Sequence, residues 1–158
     1  MTRKHATTTT SAARWTAGFT LIELMITLVV LAILAVIAVP IYEHQVEASR
    51  RTEARTALLE LAEREERYYA TNNAYTSDPT DLGYNAASWP VIIGGGYYEI
   101  EAPQITDVPS QPPYFLLTAV AIGNQAQNDT DCETFTVDSM GVDASLNNAN
   151  QNSTAECW

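Results

Sequence analysis

Glu23 is the only charged side chain in the apolar run from Gly18 to Ile41. A carboxylate in such a run needs a cationic partner, because a charge near the centre of a bilayer costs roughly 2.5–3.5 kcal/mol. The nearest candidate partner is an amine at Phe19. Cleavage of the bond between Gly18 and Phe19 would create an α-amino group one helical turn from Glu23, in the same subunit or in a neighbouring one.

The two cysteines, Cys132 and Cys157, are the second set of residues that could react with each other. An even pair in a chain whose C-terminal part meets an oxidising compartment predicts a disulfide, whereas the alternative is two free buried thiols. Closing a loop of about 26 residues would stabilise a small domain by ~3.5 kcal/mol.

Other reactive constellations are incomplete. The two histidines, His5 and His44, can build neither a histidine metal site nor a Ser-His-Asp arrangement. The run from Asp129 to Glu133 places oxygen ligands at alternating positions, as at the start of a calcium loop, but lacks the glycine and the final glutamate of that motif. We therefore predict no enzymatic activity, no metal and no cofactor.

The apolar run is long enough to cross a membrane. A helix from Phe19 to Ile41 is ~34 Å long, against ~30 Å for the hydrocarbon core. Three basic residues and no acidic ones precede it, while Glu43 and Glu47 follow it, which predicts a cytoplasmic N-terminus and a head on the other side. Pro40 lacks the amide donor that would reach Val36, and it predicts a bend or hinge there.

The helix is predicted to continue to about Tyr69 as an amphipathic segment. Its apolar stripe comprises Ala54, Ala57, Leu58, Leu61, Ala62, Tyr68 and Tyr69. Its polar face has acid-first pairs four residues apart, namely Glu47 with Arg51, Glu60 with Arg64 and Glu63 with Arg67. Such a stripe requires a partner layer to cover it.

Strand patterns supply that layer. Tyr97–Ala102 alternates, Tyr114–Ile122 is apolar on both faces and so central, and Glu133–Asp138 alternates again. The prolines around residues 103–113 and the Asn-rich tail after Val142 indicate loops, and the triplet from Gly94 to Gly96 indicates a flexible link. The predicted fold is α+β: a long N-terminal helix, half transmembrane and half amphipathic, packed on a small antiparallel sheet of three or four strands.

The charge distribution limits the possible partners. The 158-residue chain has a net charge of −11, and no Lys or Arg follows Arg67, while eleven Asp and Glu residues do. An acidic head repels phosphates, so we expect no direct nucleic acid binding.

The segment from Gly18 to Glu23, preceded by a short basic leader and followed by an apolar helix that contains Pro40, resembles the N-terminal signal of the type IV pilin family. The resemblance implies cleavage after Gly18 by a prepilin peptidase and N-methylation of Phe19. It further implies assembly, through an inner-membrane platform and with other pilin subunits, into a filament whose core is the retained helix. Glu23 and Pro40 would serve that assembly.

The C-terminal part is similar to type IVa pilins, most of all to E-type minor pilins, through Cys132, Gly141 and the terminal Cys157-Trp158. The resemblance implies a leader over residues 1–18, a transmembrane and polymerisation helix over 19–42, and a periplasmic pilin head over 43–158. The expected function is a structural, pilin-like subunit of a type IV pilus, first in the inner membrane and then in the filament at the cell surface. Two alternatives remain: a type II secretion pseudopilin, or a single-pass membrane protein with a periplasmic binding head.

Overall fold

The computed structural model describes residues 18–109 and 111–158. The predicted leader, residues 1–18, lies outside the described residues except for Gly18. The elements in chain order are α1 (Leu21–Asn72), β1 (Val91–Ile93), β2 (Tyr98–Ile100), β3 (Gln104–Thr106), β4 (Tyr114–Ala121), α2 (Gly123–Asn128), β5 (Thr134–Asp138), β6 (Asp143–Leu146) and α3 (Thr154–Cys157). The fold is α+β and pilin-like, as the sequence predicted.

Helix α1 has 52 residues and remains helical through Pro40. It begins two residues after the predicted start and ends three residues after the predicted end. The chain forms two compact units, which divide between Pro40 and Ile41. In the first unit the apolar side chains are exposed, and α1 is long and apolar enough there to cross a membrane.

The second unit, Ile41–Trp158, contains one antiparallel sheet of six strands. Its order is β1-β2-β4-β5-β6, and β3 pairs with the part of β4 that β2 leaves free. The prediction that β4 is central is confirmed, because it pairs with three strands. The predicted count of three or four strands was too low, since β1, β3 and β6 are short strands in segments that carry prolines, glycines or asparagines.

The core lies between the sheet and the second half of α1. Ala54, Leu58 and Leu61 are fully buried on one stripe of the helix, as predicted. The inward sheet face supplies Tyr98, Ile100, Phe115, Leu117, Ala119, Ala121, Phe135 and Val137. A sheet this small needs the helix as a second layer, because without it the apolar face of the sheet would be exposed to water.

The glycine triplet is a tight turn rather than the flexible link that the sequence suggested. Gly94 and Gly96 join β1 to β2 with positive φ of 55° and 83°, values that favour glycine. A Cβ at Gly94 would collide with the side chain of Glu53 on α1. The amide of Gly95 donates to Glu53 Oε2 at 3.4 Å, so the triplet lets the hairpin approach the helix.

Candidate functional site

The predicted processing and assembly residues lie at the start of α1. Gly18, Phe19 and Thr20 precede the helix without regular secondary structure, and Phe19 is 84% exposed. The hydroxyl Oγ1 of Thr20 accepts a hydrogen bond from the amide of Glu23 at 3.2 Å, so Thr20 caps the helix. The pattern Thr-x-x-Glu is the sequence signature of a capping box and marks this helix start.

Glu23 therefore lies in the first turn of α1. The amide groups at a helix N-terminus carry partial positive charge, which favours a carboxylate at this position. Among the described residues, no cation forms an ion pair with Glu23. In an apolar surrounding the carboxylate can accept an ammonium group, and an amine at Phe19 would be the closest along the chain.

In the head, a buried polar network joins α1 to the segment after β4. Arg51 donates to both carboxylate oxygens of Asp129 at 2.6 Å, and the Asp129 side chain is only 1% exposed. Gln125 donates to Asp129 at 2.8 Å and to the hydroxyl of Tyr98 at 3.3 Å. Tyr98 in turn donates to the carbonyl of Cys132 at 3.4 Å. The network fixes the helix to the sheet through a bidentate pair whose carboxylate is buried.

This pairing corrects the prediction that Arg51 pairs with Glu47 along the helix. The hydrogen bonds that Arg51 donates to Asp129 are the main cause of a raised pKa of Arg51. Asp129 was also the first ligand of the incomplete calcium pattern, and in the structure its carboxylate binds the guanidinium instead.

Two family comparisons bear on this architecture. A family model described as the type IV minor pilin ComP, DNA uptake sequence receptor, matches residues 40–136. A second model, the prokaryotic N-terminal methylation motif, matches residues 16–39. The chain belongs to the ComP minor pilin family. None of the curated proteins compared with it matches.

Membership in the ComP family confirms the pilin resemblance and makes the chain a type IV pilin subunit. Neither match favours a secretion pseudopilin or a membrane protein outside filaments. The ComP match ends at residue 136, so β6 and the tail extend beyond it.

In this ComP-family chain the predicted disulfide between Cys132 and Cys157 is present, with Cα atoms 5.6 Å apart. It brings α3 against the sheet, where the indole nitrogen of Trp158 donates to the carbonyl of Ala144 at 2.7 Å. The Trp158 ring also packs edge-on against Phe135. The tail is therefore anchored by β6, the disulfide and a terminal aromatic residue.

The remaining predicted helix pairs have mixed outcomes. Arg67 pairs with Glu63 at 2.6 Å, as predicted, and both side chains are exposed. Arg64 does not pair with Glu60. It donates to the carbonyl of Leu82 at 2.8 Å and lies over the ring of Tyr84, so it holds the loop after α1.

The sequence analysis did not identify Glu65, an acidic residue of the head whose side chain is fully buried. Its Oε2 accepts the amide of Thr76 at 3.1 Å, and its Oε1 has no hydrogen-bond partner. Burial raises the pKa of Glu65 to about 7, although the Thr76 bond opposes the shift. The available signal was its position: it follows Ala54, Leu58 and Leu61 at helical spacing, on the buried stripe.

Proposed function

We propose that this type IV pilin begins as an inner-membrane protein and ends as a subunit of the filament. In this proposal residues 1–18 form a leader that a prepilin peptidase removes, and residues 19–42 span the membrane with the N-terminus in the cytoplasm. Residues 43–158 form the head, which stays in the periplasm until the assembly platform extracts the helix from the membrane. The match to the methylation motif over residues 16–39 supports cleavage after Gly18 and methylation of Phe19.

The observation that carries the proposal is the position of Glu23. The carboxylate lies in the first turn of an exposed apolar helix and has no ion-pair partner among the described residues. Cleavage after Gly18 would create the missing cation at Phe19. We propose that Glu23 sets the register of assembly, because an incoming helix is stabilised only where an amine and a carboxylate of neighbouring subunits meet.

Glu23→Ala tests this role in cells that make pili. The variant should insert and be cleaved after Gly18, because the leader and the apolar run are unchanged, yet it should incorporate poorly into filaments. The measurement is the amount of this subunit in sheared pili relative to the inner membrane. Glu43→Ala removes an exposed carboxylate outside the apolar run and should incorporate normally. Normal incorporation of cleaved Glu23→Ala would refute the register role.

Cleavage itself has a separate test. Coexpression with a prepilin peptidase should lower the mass of the chain by that of residues 1–18 and add a methyl group to Phe19. An uncut chain would contradict filament assembly altogether. We propose a structural role without catalysis, in keeping with the pilin family.

The family description names a DNA uptake sequence receptor, so DNA binding is the second candidate function. The charge of this head argues against it: five Arg stand against eighteen Asp and Glu from residue 41 onward. Phosphate contacts made by Lys and Arg dominate affinity for DNA. We propose that this head does not bind DNA directly. Fluorescence anisotropy with labelled duplex DNA at about 50 mM salt should show no binding to the head. Salt-dependent binding would overturn the proposal that the head does not bind DNA directly.

A further inference from the structure

Glu65 places a carboxyl group with an unpaired oxygen inside the head. The side chain is fully buried on the stripe of α1 that faces the sheet, its Oε2 accepts the amide of Thr76 at 3.1 Å, and its Oε1 has no hydrogen-bond partner. Buried polar atoms are nearly always hydrogen-bonded, so an unpaired one calls for an explanation. A protonated carboxyl can occupy such a position, whereas a buried carboxylate must be paired with a cation or reach water.

The groups around Glu65 offer its carboxylate no cation. Glu66 lies beside it on α1 and adds negative charge. The two arginines at this end of α1 are engaged elsewhere, Arg64 with a loop carbonyl and Arg67 with Glu63. The other ionisable side chains at this end of α1, on the loop after it and on β4 are Tyr68, Tyr69, Tyr75, Asp78, Asp81 and Tyr114. These are acids or neutral hydroxyls, and among the described residues no cation forms an ion pair with Glu65.

Thr76, the hydrogen-bond partner of Glu65, belongs to a loop segment that two left-handed residues bound. Asn73 ends the helix with φ of 54°, and Gly83 follows with φ of 79°. We name residues 74–82, which lie between them, the flap. Asp78 Oδ1 accepts the amide of Thr80 at 2.8 Å and its hydroxyl at 2.7 Å, so the flap has internal structure of its own. It can therefore move as a unit about the two bounding residues.

The contacts that hold the flap differ in how they respond to pH. Further hydrogen bonds tie it to its neighbours, from Tyr75 to Glu66 at 2.9 Å, from Arg64 to the carbonyl of Leu82 at 2.8 Å and from Trp89 to the carbonyl of Ser77 at 2.7 Å. Guanidinium and indole donors keep their protons at neutral pH. Burial raises the pKa of Tyr75 to about 12, so its hydroxyl keeps its proton as well. Among these contacts, only the bond from Thr76 has a buried acid, Glu65, as its acceptor.

We infer that the flap is a pH-controlled gate: when Glu65 loses its proton, the flap moves away from α1 and admits water to the carboxylate. The flap is the side from which water reaches the site, because its Ser77 and Asp78 are exposed. Leu61, one turn before Glu65 on the helix, is fully buried. The head then responds to pH through a local movement and keeps its sheet intact.

Opening changes the surface that the head presents. Leu82 is 2% exposed with the flap closed, and Tyr75 packs edge-on against Phe115 of β4. Both contacts lie under the flap or on it, so the open form presents apolar and aromatic surface that the closed form covers. The inference concerns the head alone and does not depend on the proposed route into the filament.

The size of the response follows from proton linkage. In the closed flap, burial raises the pKa of Glu65 from 4.5 to about 7, and in the open flap the carboxyl is in water and keeps its ordinary value. The closed form holds a proton that the open form releases, so the closed form loses its advantage as the pH rises from 4.5 towards 7. The ratio of open to closed flap should rise roughly tenfold between about pH 6 and about pH 8.

Amide hydrogen exchange on the full chain in detergent micelles measures this opening. The Thr76 amide reports on the flap, and the amides of β4, the central strand, report on unfolding of the whole head. After correction for the intrinsic pH dependence of exchange, protection of Thr76 should fall roughly tenfold between about pH 6 and about pH 8. It should be lower than the protection of β4 at both pH values. It should also be insensitive to about 1 M urea, because a local opening exposes little surface.

Two variants separate the ionisation of Glu65 from the shape of the site. Glu65→Gln keeps a carbonyl acceptor for Thr76 but cannot ionise, so its Thr76 protection should be the same at both pH values. The control Glu66→Gln changes the neighbouring exposed acid, which contacts the flap through Tyr75, and should keep the wild-type fall.

An equal fall in Glu65→Gln and wild type, or constant protection in wild type, would overturn the inference. It would also be overturned if the protection of Thr76 matched that of β4 and fell with urea in parallel, because the flap would then open only when the head unfolds. This last comparison needs wild type alone, so it decides the inference even if Glu65→Gln does not fold.

Discussion

Glu65→Gln should remove the fall in head stability that wild type shows between pH 4.5 and pH 8, so that the variant gains on wild type as the pH rises. The wild-type carboxyl is fully buried and its pKa is raised from 4.5 to about 7. Below pH 4.5 the folded and unfolded states both hold the proton. Between pH 4.5 and 7 only the folded state holds it, so the free energy of unfolding falls as pH rises, and above pH 7 it is constant.

The size of the effect follows from that shift. One unit of pKa corresponds to about 1.4 kcal/mol, so wild type should lose roughly 3 kcal/mol between pH 4.5 and pH 8 through this group. Glutamine has the same shape and no charge, and its carbonyl can keep the bond from the Thr76 amide. Its amide hydrogens lack a partner, which costs about 1–3 kcal/mol. The net gain at pH 8 is therefore about 0–2 kcal/mol, and the difference in pH slope is the clearer signal.

Urea unfolding of a fragment from Gln45 to Trp158, followed by tryptophan fluorescence between pH 4.5 and 8.5, measures both quantities. Glu66→Gln is the matched control, because its exposed carboxylate accepts only the Tyr75 hydroxyl and should leave the wild-type slope intact. If Glu65→Gln and wild type lose stability in parallel as pH rises, Glu65 is ionised in the folded head and the reasoning is refuted.

Three further predictions concern other contacts. Serine at both disulfide cysteines should lower head stability by roughly 3 kcal/mol while insertion and cleavage persist; equal protease resistance of oxidised and reduced heads would contradict it. Arg51→Ala should lower the free energy of unfolding in urea by about 3–5 kcal/mol, because it leaves the buried Asp129 carboxylate without its cation. The control Arg67→Ala, whose ion pair is exposed, should lower it by only about 0–1 kcal/mol. Similar losses in the two variants would refute the importance of the Arg51–Asp129 pair. Pro40→Ala should straighten the helix in bilayers, and unchanged spin-label distances across that segment would exclude a hinge.

The sequence by itself determined the anchor and the main layers of the head. An uninterrupted apolar run with one carboxylate predicts a helix long enough to span a membrane, since a helix in lipid pairs its backbone groups within the segment. Period-two alternation identified β2 and β5, and apolarity on both faces identified β4 as central. These signals are local, because each depends on residues within one element.

The short strands escaped prediction because their stability is not local. β1, β3 and β6 have three or four residues each, too few to show a period, and they exist because β2, β4 and β5 offer them partners. Pattern reasoning reads such segments as loops when they contain Pro, Gly or Asn.

Tertiary structure also decided which charges pair. Helical spacing offered Arg51 to Glu47 and Arg64 to Glu60, but a surface pair is worth only about 0.3–0.5 kcal/mol. Arg51 instead forms a bidentate hydrogen bond with Asp129, and Arg64 donates to the carbonyl of Leu82. Both bonds compete with the small gain from a surface pair, and both partners are distant in sequence. The same folding buried Glu65, whose pKa depends on an environment that only packing against the sheet creates.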